Sequence, residues 1–411
     1  MQKFEKHSPV VVTEVTTKHE LRQFMQYPNR LYADNPNYIP SFYGDDLSDW
    51  TPGKNPAFDY CEARCWLAWR DGEIVGRIGA ILSHKANDKF GTHRMRFSQV
   101  DFVDDSEVSA ALFGTVERWA RQQGCDQVHG PLGFTDMDRE GMLVEGFDRR
   151  SLFITNYNAP YYPEHLTRLG YRKDVDWIEY RISVPAPGSA EAERLHKLSE
   201  FILKRKHLHV ATLHHKSEYG PFVRQVFELV NAAYAPLYGV VELSDEQIER
   251  YANKFIPLVD PDFVCFVLDE QDKLVAFGVT TLDPSPALKH SDGRLFPFGW
   301  AEVLNDLHHG DTLIMLLTAV RPDLQTEGIN AVMMDHVCQS CNRHGVQFAE
   351  TGPMLELNDH ILAQWKRLEK EQHKRRRCFI KDLDHGINAA NAAAAAQAEA
   401  PEAAPAAESA E

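Results

Sequence analysis

The sequence predicts an α/β protein built twice, each copy a mixed central sheet flanked by helices. One order of elements (strand, helices, hairpin, strand–helix–strand, helix, strand) runs from residue 10 to 184 and returns from 209 to 383. Between the copies, residues 185–193 read PAPGSAEAE, which is linker composition. A hydrophobic content of 43% in 411 residues is enough for two cores of ordinary size. The expected organisation is a first domain over 1–184, a linker and bridging helix over 185–207, a second domain over 208–384 and an Ala/Glu/Pro tail over 385–411. That tail has no means of forming an apolar face and is expected to be disordered.

In the first copy, residues 10–15 read as a strand. Leu21, Phe24 and Met25 give 18–27 helical spacing, which Pro28 should end or kink. Residues 35–56 mix Pro and Asn with aromatics and suggest an ordered loop folded over a core or ligand. Strands over 65–70 and 74–83 flank Asp71 and Gly72, a hairpin signal. A strand over 95–103 leads to Ser106 as a helix cap, an amphipathic helix over 108–123 and a stop at Gly124. A short strand over 126–130 is followed by a long loop over 131–150, an extended stretch over 151–157, a short helix over 162–169 and a strand pair over 171–184. A helix over 192–207 bridges to the second copy.

There, a strand over 209–214 precedes helices over 222–238 and 244–255 and a hairpin of 263–268 with 274–281. Residues 313–320 (LIMLLTAV) form an unbroken apolar run with one Thr, the sign of a strand buried on both faces. Val332, Met333, His336 and Val337 then share one side of a helix that Gly345 ends. A strand over 346–350, a helix over 358–368 and a strand over 376–383 complete the copy.

Composition excludes several classes. A net charge of −16 argues against nucleic acid, whose phosphates select basic surfaces. No apolar run approaches the ~20 residues of a membrane span, and the N-terminus has no apolar signal core. Seven scattered cysteines fit a reducing cytoplasm. Cys338 and Cys341 form a C-x-x-C near His336 and His344, but the pair falls in mid-helix with no second C-x-x-C, so buried thiols are expected and no metal.

The chemistry centres on the turn between the 313–320 strand and its helix. A strand feeding a helix leaves backbone N–H groups pointing outward, a natural cradle for phosphate. Gly328 lets the backbone come close to such a ligand. The turn resembles the pyrophosphate loop of the GNAT acyltransferase superfamily, Gln/Arg-x-x-Gly-x-Gly/Ala. Gln325, Gly328 and Asn330 hold the motif positions, and Asn330 departs from the usual small residue. The resemblance implies a tandem pair of GNAT-like domains and a coenzyme A thioester as co-substrate, acetyl-CoA or long-chain acyl-CoA. It implies contacts to it from Val320, Gln325, Thr326, Glu327, Gly328, Ile329 and Asn330, and an amine as acceptor. The equivalent turn of the first copy reads Asp104-Asp105-Ser106-Glu107, whose carboxylates would repel a pyrophosphate. The second copy alone should therefore hold the thioester.

Transfer to an amine needs a group that takes the ammonium proton and support for a tetrahedral oxyanion. Related enzymes place a carboxylate base at a strand end, which makes Glu350 and Glu356 the candidates, with a solvent-facing strand end or a helix-cap region as their alternatives. Tyr238 is a candidate acid or a core-edge tyrosine. Asn156 and Tyr157, in the cluster TNYNAPYY, line a substrate cleft or pack a tight turn. Phe296, Phe298 and Trp300, in RLFPFGW, suit the wall of an apolar tunnel or a core beneath a loop. The block His373–Arg377 (HKRRR) meets anionic phosphates or is a solvated helix end.

NYNAPYYPEHLTRLGY, RLFPFGW, and MLELNDHILAQWKRL followed by KRRRCFIK together look like one bacterial family of tandem-GNAT proteins, to which bacterial ceramide synthases are similar. The resemblance implies acyl transfer to a long-chain amino alcohol, with peripheral contact at the inner membrane. A short-chain acetyltransferase and a non-catalytic module that binds acyl-CoA or a partner are the alternatives.

Overall fold

The computed structural model describes residues 8–383, and the tail expected over 385–411 lies outside them. The first half runs β1 (Val11–Glu14), α1 (Lys18–Leu31), α2 (Tyr43–Asp49), β2 (Cys61–Arg70), β3 (Glu73–Ser83), α3 (His84–Phe90), β4 (Arg94–Phe102), α4 (Ser106–Gln122), β5 (Gln127–Gly130), β6 (Met142–Glu145), α5 (Tyr162–Arg168) and β7 (Arg172–Ser183). α6 (Ala190–Lys206) crosses to the second half. That half runs β8 (His209–Val210), α7 (Gly220–Tyr234), α8 (Asp245–Phe255), β9 (Val264–Leu268), β10 (Leu274–Leu282), α9 (Ser285–His290), α10 (Gly299–His309), β11 (Thr312–Val320), α11 (Asn330–His344), β12 (Phe348–Thr351), β13 (Met354–Leu355), α12 (Asp359–Ala363) and β14 (Lys370–Asp382). No described helix is long and apolar enough to cross a membrane.

The strands form one sheet in the order β1-β2-β3-β4-β5-β14-β7-β12-β11-β10-β9-β8, with β6 on β14 and β13 on β7. β4/β5 and β11/β12 are parallel, and each pair is bridged by a helix, α4 or α11. The halves exchange their last strands. β7 pairs with β12 of the second half, and β14 pairs with β5 of the first. β7 and β14 then pair with each other from Lys370↔Ile182 to Ile380↔Arg172, which makes them the seam of the molecule.

Local chemistry accounts for several departures from expectation. α1 continues through Pro28. A helical proline leaves the carbonyl four residues back without a donor, and here Arg77 Nη1 supplies one to Phe24 O at 2.9 Å. The cap of α4 is Asp105, not Ser106. Its carboxylate accepts from the Glu107 and Val108 amides and pairs with Arg70. Residues 151–157, expected as one extended stretch, are broken by a turn at 153–155, and the helix expected over 358–368 is one short turn, α12, followed by a 3-10 turn. The basic block lies in β14, not at a helix end. Lys374 and Arg376 are fully enclosed there by ion pairs to Glu179.

Helices cover both faces of the second-half sheet. α6 and α11 pack on one face through Ile202, Val332 and Met333. α7 and α8 pack on the other through Val226, Val230 and Ile248.

Candidate functional site

β11 and β12 stay paired from Thr312↔Phe348 to Met315↔Thr351 and then part, because Gly352 and Pro353 turn the chain away. β11 continues alone on that edge to Val320. The wedge so formed opens into an apolar cavity of about 170 Å³, lined by Met315, Met333, Met334 and Met354 with Trp365 and Leu368. Methionine is flexible and polarizable, so such a lining adapts to an extended apolar guest. Tyr234 reaches the same cavity from α7, donating its hydroxyl to Thr318 O at 2.8 Å. Burial pushes that phenol up to about 12.

At the outer end of β11 lies the glycine turn. Gly328 has φ +80°, a backbone that side chains rarely adopt, and a Cβ there would meet Ile202 at 3.2 Å. The Gly328 and Ile329 amides have no acceptor among the described residues, and α11 begins at Asn330, which lines the cavity. Gln325 Nε2 holds the turn to Val320 O at 3.3 Å. Glu327 is paired with Lys206, leaving the Thr326 side exposed. The turn thus joins unpaired amides to an open strand edge, a fit for a phosphate-bearing chain that continues as an amide.

The two faces of the wedge differ in chemistry. Ala349 and Thr351 of β12 line the apolar cavity. Glu350 lies between them and points to the other face, where Lys374 Nζ donates to it at 3.2 Å. Lys374 also lies 3.5 Å from Glu179, which binds Arg376. Burial raises Glu350 above the ordinary carboxylate range, and Lys374 works against it. Burial also pushes Glu179 up, but Arg376 and Lys374 outweigh it and leave that carboxyl below its usual value. His373 stands out at a bulge between Gln372 and Lys374. Its Nε2 is 3.7 Å from Glu350 and has no hydrogen-bond partner among the described residues. Burial, then the Lys374 charge, lowers it to about 3, so the ring is neutral at pH 7.

No family model matches the chain. Protein YghO of Escherichia coli (strain K12) is 27% identical over 383 residues, which cover 91% of this chain and 95% of that protein. A bacterial ceramide synthase of Caulobacter vibrioides (strain NA1000 / CB15N) is 28% identical over 299 residues, 71% of this chain and 75% of the relative. Among solved structures, a tandem GNAT protein from the clavulanic acid biosynthesis pathway aligns with TM-score 0.52 and 13% identity over 91% of this chain and 99% of its own. The chain has the tandem GNAT fold.

Its two GNAT halves are not equivalent. In the first, β4 and β5 pair from Arg94↔Gln127 to Arg96↔His129, and one further bond holds the chain after β5 to β4. Gly130, at φ +149°, passes so close to β4 that a Cβ would meet Phe97 O at 2.3 Å, and the Leu132 amide bonds that carbonyl. Asp104 pairs with His165, while Asp105 and Glu107 pair with Arg70, so the acidic turn is already satisfied.

The residues singled out from sequence scatter over both halves. Val320, Gln325, Gly328 and Asn330 gather at one end of the wedge, with Glu350 at its apex. Glu356 sits apart, clamped by Lys173 at 2.6 Å and Arg375 at 3.3 Å. Tyr238 is also elsewhere, bonded to Asp174, to His129 at 2.9 Å and to Cys378 at 3.5 Å. His129, Asp174 and Cys378 bring metal-ligating atoms within 4.8 Å of one another, but the Tyr238 hydroxyl occupies the space among them. Asn156 gives its backbone carbonyl to Arg376, at the border of the charged face. Tyr157 belongs to the first-half core, with its hydroxyl bonded to Asn35 at 2.8 Å. Phe296 and Phe298 wall no tunnel, being 81% and 76% exposed, and Trp300 is 48% exposed. Cys338 and Cys341 are buried in α11, and burial raises their thiols to about 11 and about 12. Sequence reasoning missed Tyr234 and Glu179, and it read His373 and Lys374 as part of a basic block that meets anionic phosphates or ends a solvated helix. Tyr234 lay inside a predicted helix, and Glu179 in a strand pair where nothing local marks a buried carboxylate.

Proposed function

We propose that the chain is an N-acyltransferase that moves an acyl group from a coenzyme A thioester to an amine, with a long acyl chain and a long-chain amino alcohol as acceptor. The observation that carries the reading is a single wedge with a glycine turn at one end, a methionine-lined cavity on one face and a half-buried carboxylate on the other. The similarity to a bacterial ceramide synthase supports the lipid acceptor. The amides at 328 and 329 receive the pyrophosphate, and the free edge of β11 pairs with the amide-bearing arm. The acyl chain lies among the methionines.

The acceptor enters from the charged face as an ammonium. Glu350, raised in pKa and oriented by Lys374, takes one proton, and the free amine attacks the thioester carbonyl. An N–C bond forms as the C–S bond breaks, and the leaving thiolate takes up the proton that the attacking nitrogen sheds, giving the amide and the free thiol. Amides along the unpaired edge of β11 steady the oxyanion in a site shielded from water. Glu350 gives its proton to solvent as the products leave, while His373, lowered to about 3, stays neutral beside it. Glu356, already held by two cations, is a weaker base. Tyr234, not Tyr238, is the tyrosine that reaches the wedge. Substrates of this kind bring the protein to a membrane surface from the cytoplasmic side.

Free-thiol release with acetyl-CoA and with palmitoyl-CoA, across a panel of small and long-chain amines, tests the reading. Release is expected with palmitoyl-CoA and a long-chain amino alcohol. Release only from acetyl-CoA with a small amine would replace it by short-chain transfer. Measured coenzyme A binding with no release from any amine would leave a binding module.

A further inference from the structure

The segment between β10 and β11 packs inward and projects outward. Leu288 of α9 and Val303 and Leu307 of α10 share a core with Ile314 of β11 and with Leu152 and Phe153 of the first half. The turn between the two helices is held at its base. The Gly293 carbonyl accepts from the Tyr43 amide at 3.1 Å, and a Cβ on Gly293 would strike Ser41 O. The Trp300 amide bonds Leu295 O at 2.8 Å, and its indole bonds Pro297 O at 3.1 Å. From this fixed base Leu295, Phe296, Phe298, Trp300 and Leu304 stand in solvent, 36%, 81%, 76%, 48% and 42% exposed.

We infer that this tip docks the protein on a lipid bilayer surface, with Phe296 and Phe298 inserted at the headgroup boundary and Trp300 beside them. Three observations favour a bilayer over a second copy of the chain. Taking ~150–250 Å² per aromatic side chain, the patch amounts to roughly 500–600 Å², short of the ~800 Å² per partner of a standard interface. Its rings project singly from a narrow turn, which suits insertion between headgroups, and a Trp among apolar residues suits the interface. In a chain of net charge −16, residues 293–301 (GRLFPFGWA) contain no acid, and Arg294 is exposed at the base, where it meets an anionic headgroup. The helices behind the tip pack on β11 beside the wedge, so docking sets the site near the leaflet that would hold a long-chain acceptor. That purpose rests on the proposed acyl transfer; the docking itself does not.

Co-sedimentation of the full chain with phosphatidylcholine vesicles containing a quarter phosphatidylglycerol tests it without any acyl transfer. The wild type should bind. The F296D/F298D double variant should lose at least tenfold in partition while keeping its coenzyme A affinity, which shows that fold and wedge are intact. R294A should weaken binding to the anionic vesicles more than to pure phosphatidylcholine. A wild type that stays in the supernatant at millimolar lipid would overturn the inference, as would equal partition by the double variant. A lipid-free dimer that the double variant abolishes would also overturn it, by assigning the patch to a second copy.

Discussion

At the scale of single residues, the wedge depends on charges held out of water. Glu350 and Glu356 are a natural pair of controls, because both are carboxylates near a strand end and only one faces the wedge. E350Q should lower kcat/KM by about 10²–10⁴ with coenzyme A affinity unchanged, while E356Q should stay within a few fold of wild type. Because Glu350 is raised, the acid limb of the wild-type pH profile should sit above the ordinary carboxylate range. Activity should rise with pH through that value. His373 makes a separate prediction about stability. Buried and neutral, it has a folded value of about 3 against an ordinary 6.5, so below 6.5 the unfolded chain binds a proton that the folded chain refuses. Stability is therefore lost as pH falls from 6.5 towards 3. By pH 5 the cost is about 2 kcal/mol, at 1.36 kcal/mol per unit. Urea unfolding at pH 7 and pH 5 should show that loss in wild type and a smaller one in H373Q; equal losses would mean that the ring is not buried neutral.

At the scale of elements, the glycine turn and the strand edge act together. A side chain at 328 faces both a left-handed φ and Ile202 at 3.2 Å, and an acidic one adds repulsion to the phosphates. G328E should abolish coenzyme A binding by calorimetry, with the far-UV spectrum retained, while S106A in the satisfied first-half turn should leave binding intact. Equal loss from both would argue that each half holds a thioester. Much of this level was legible in the sequence. The 313–320 run and the Gly328 turn stood out because an apolar strand and a helix-opening glycine each leave a local signature. The β14 strand was legible only past 376. Residues 370–377 (KEQHKRRR) show no apolar alternation, and their burial depends on Glu179, Asp176 and Glu350, which arrive from other strands. Exposed aromatics such as Phe296 looked like tunnel wall because a local sequence does not say on which side of a loop the rest of the chain will lie.

At the scale of the molecule, the halves are tied by exchanged strands, an arrangement invisible in a repeated sequence because either copy of the last strand would satisfy either sheet. β7 ends the first half yet borders β12, and β14, the last of the described strands, fills the gap between β5 and β7. Glu350 sits on β12, its partner Lys374 comes from β14, and Glu179, which shares Lys374, comes from β7, so the charged face of the wedge is assembled from both halves. A chain cut after residue 369 would expose the edges of β5 and β7 and strip Glu179 of both buried cations. An uncompensated buried carboxylate is strongly destabilising, and the damage falls on strands more than 180 residues away in sequence as well as on the second half. The full chain should therefore unfold in urea as one transition reported identically by near-UV and far-UV signals. The truncated chain should lose amide-exchange protection over β4 and β5 together with β11 and β12. Retained protection of β4 and β5 in the truncated chain would mean that the first half closes on itself without the borrowed strand, and that the exchange orients the two halves without stabilising the first.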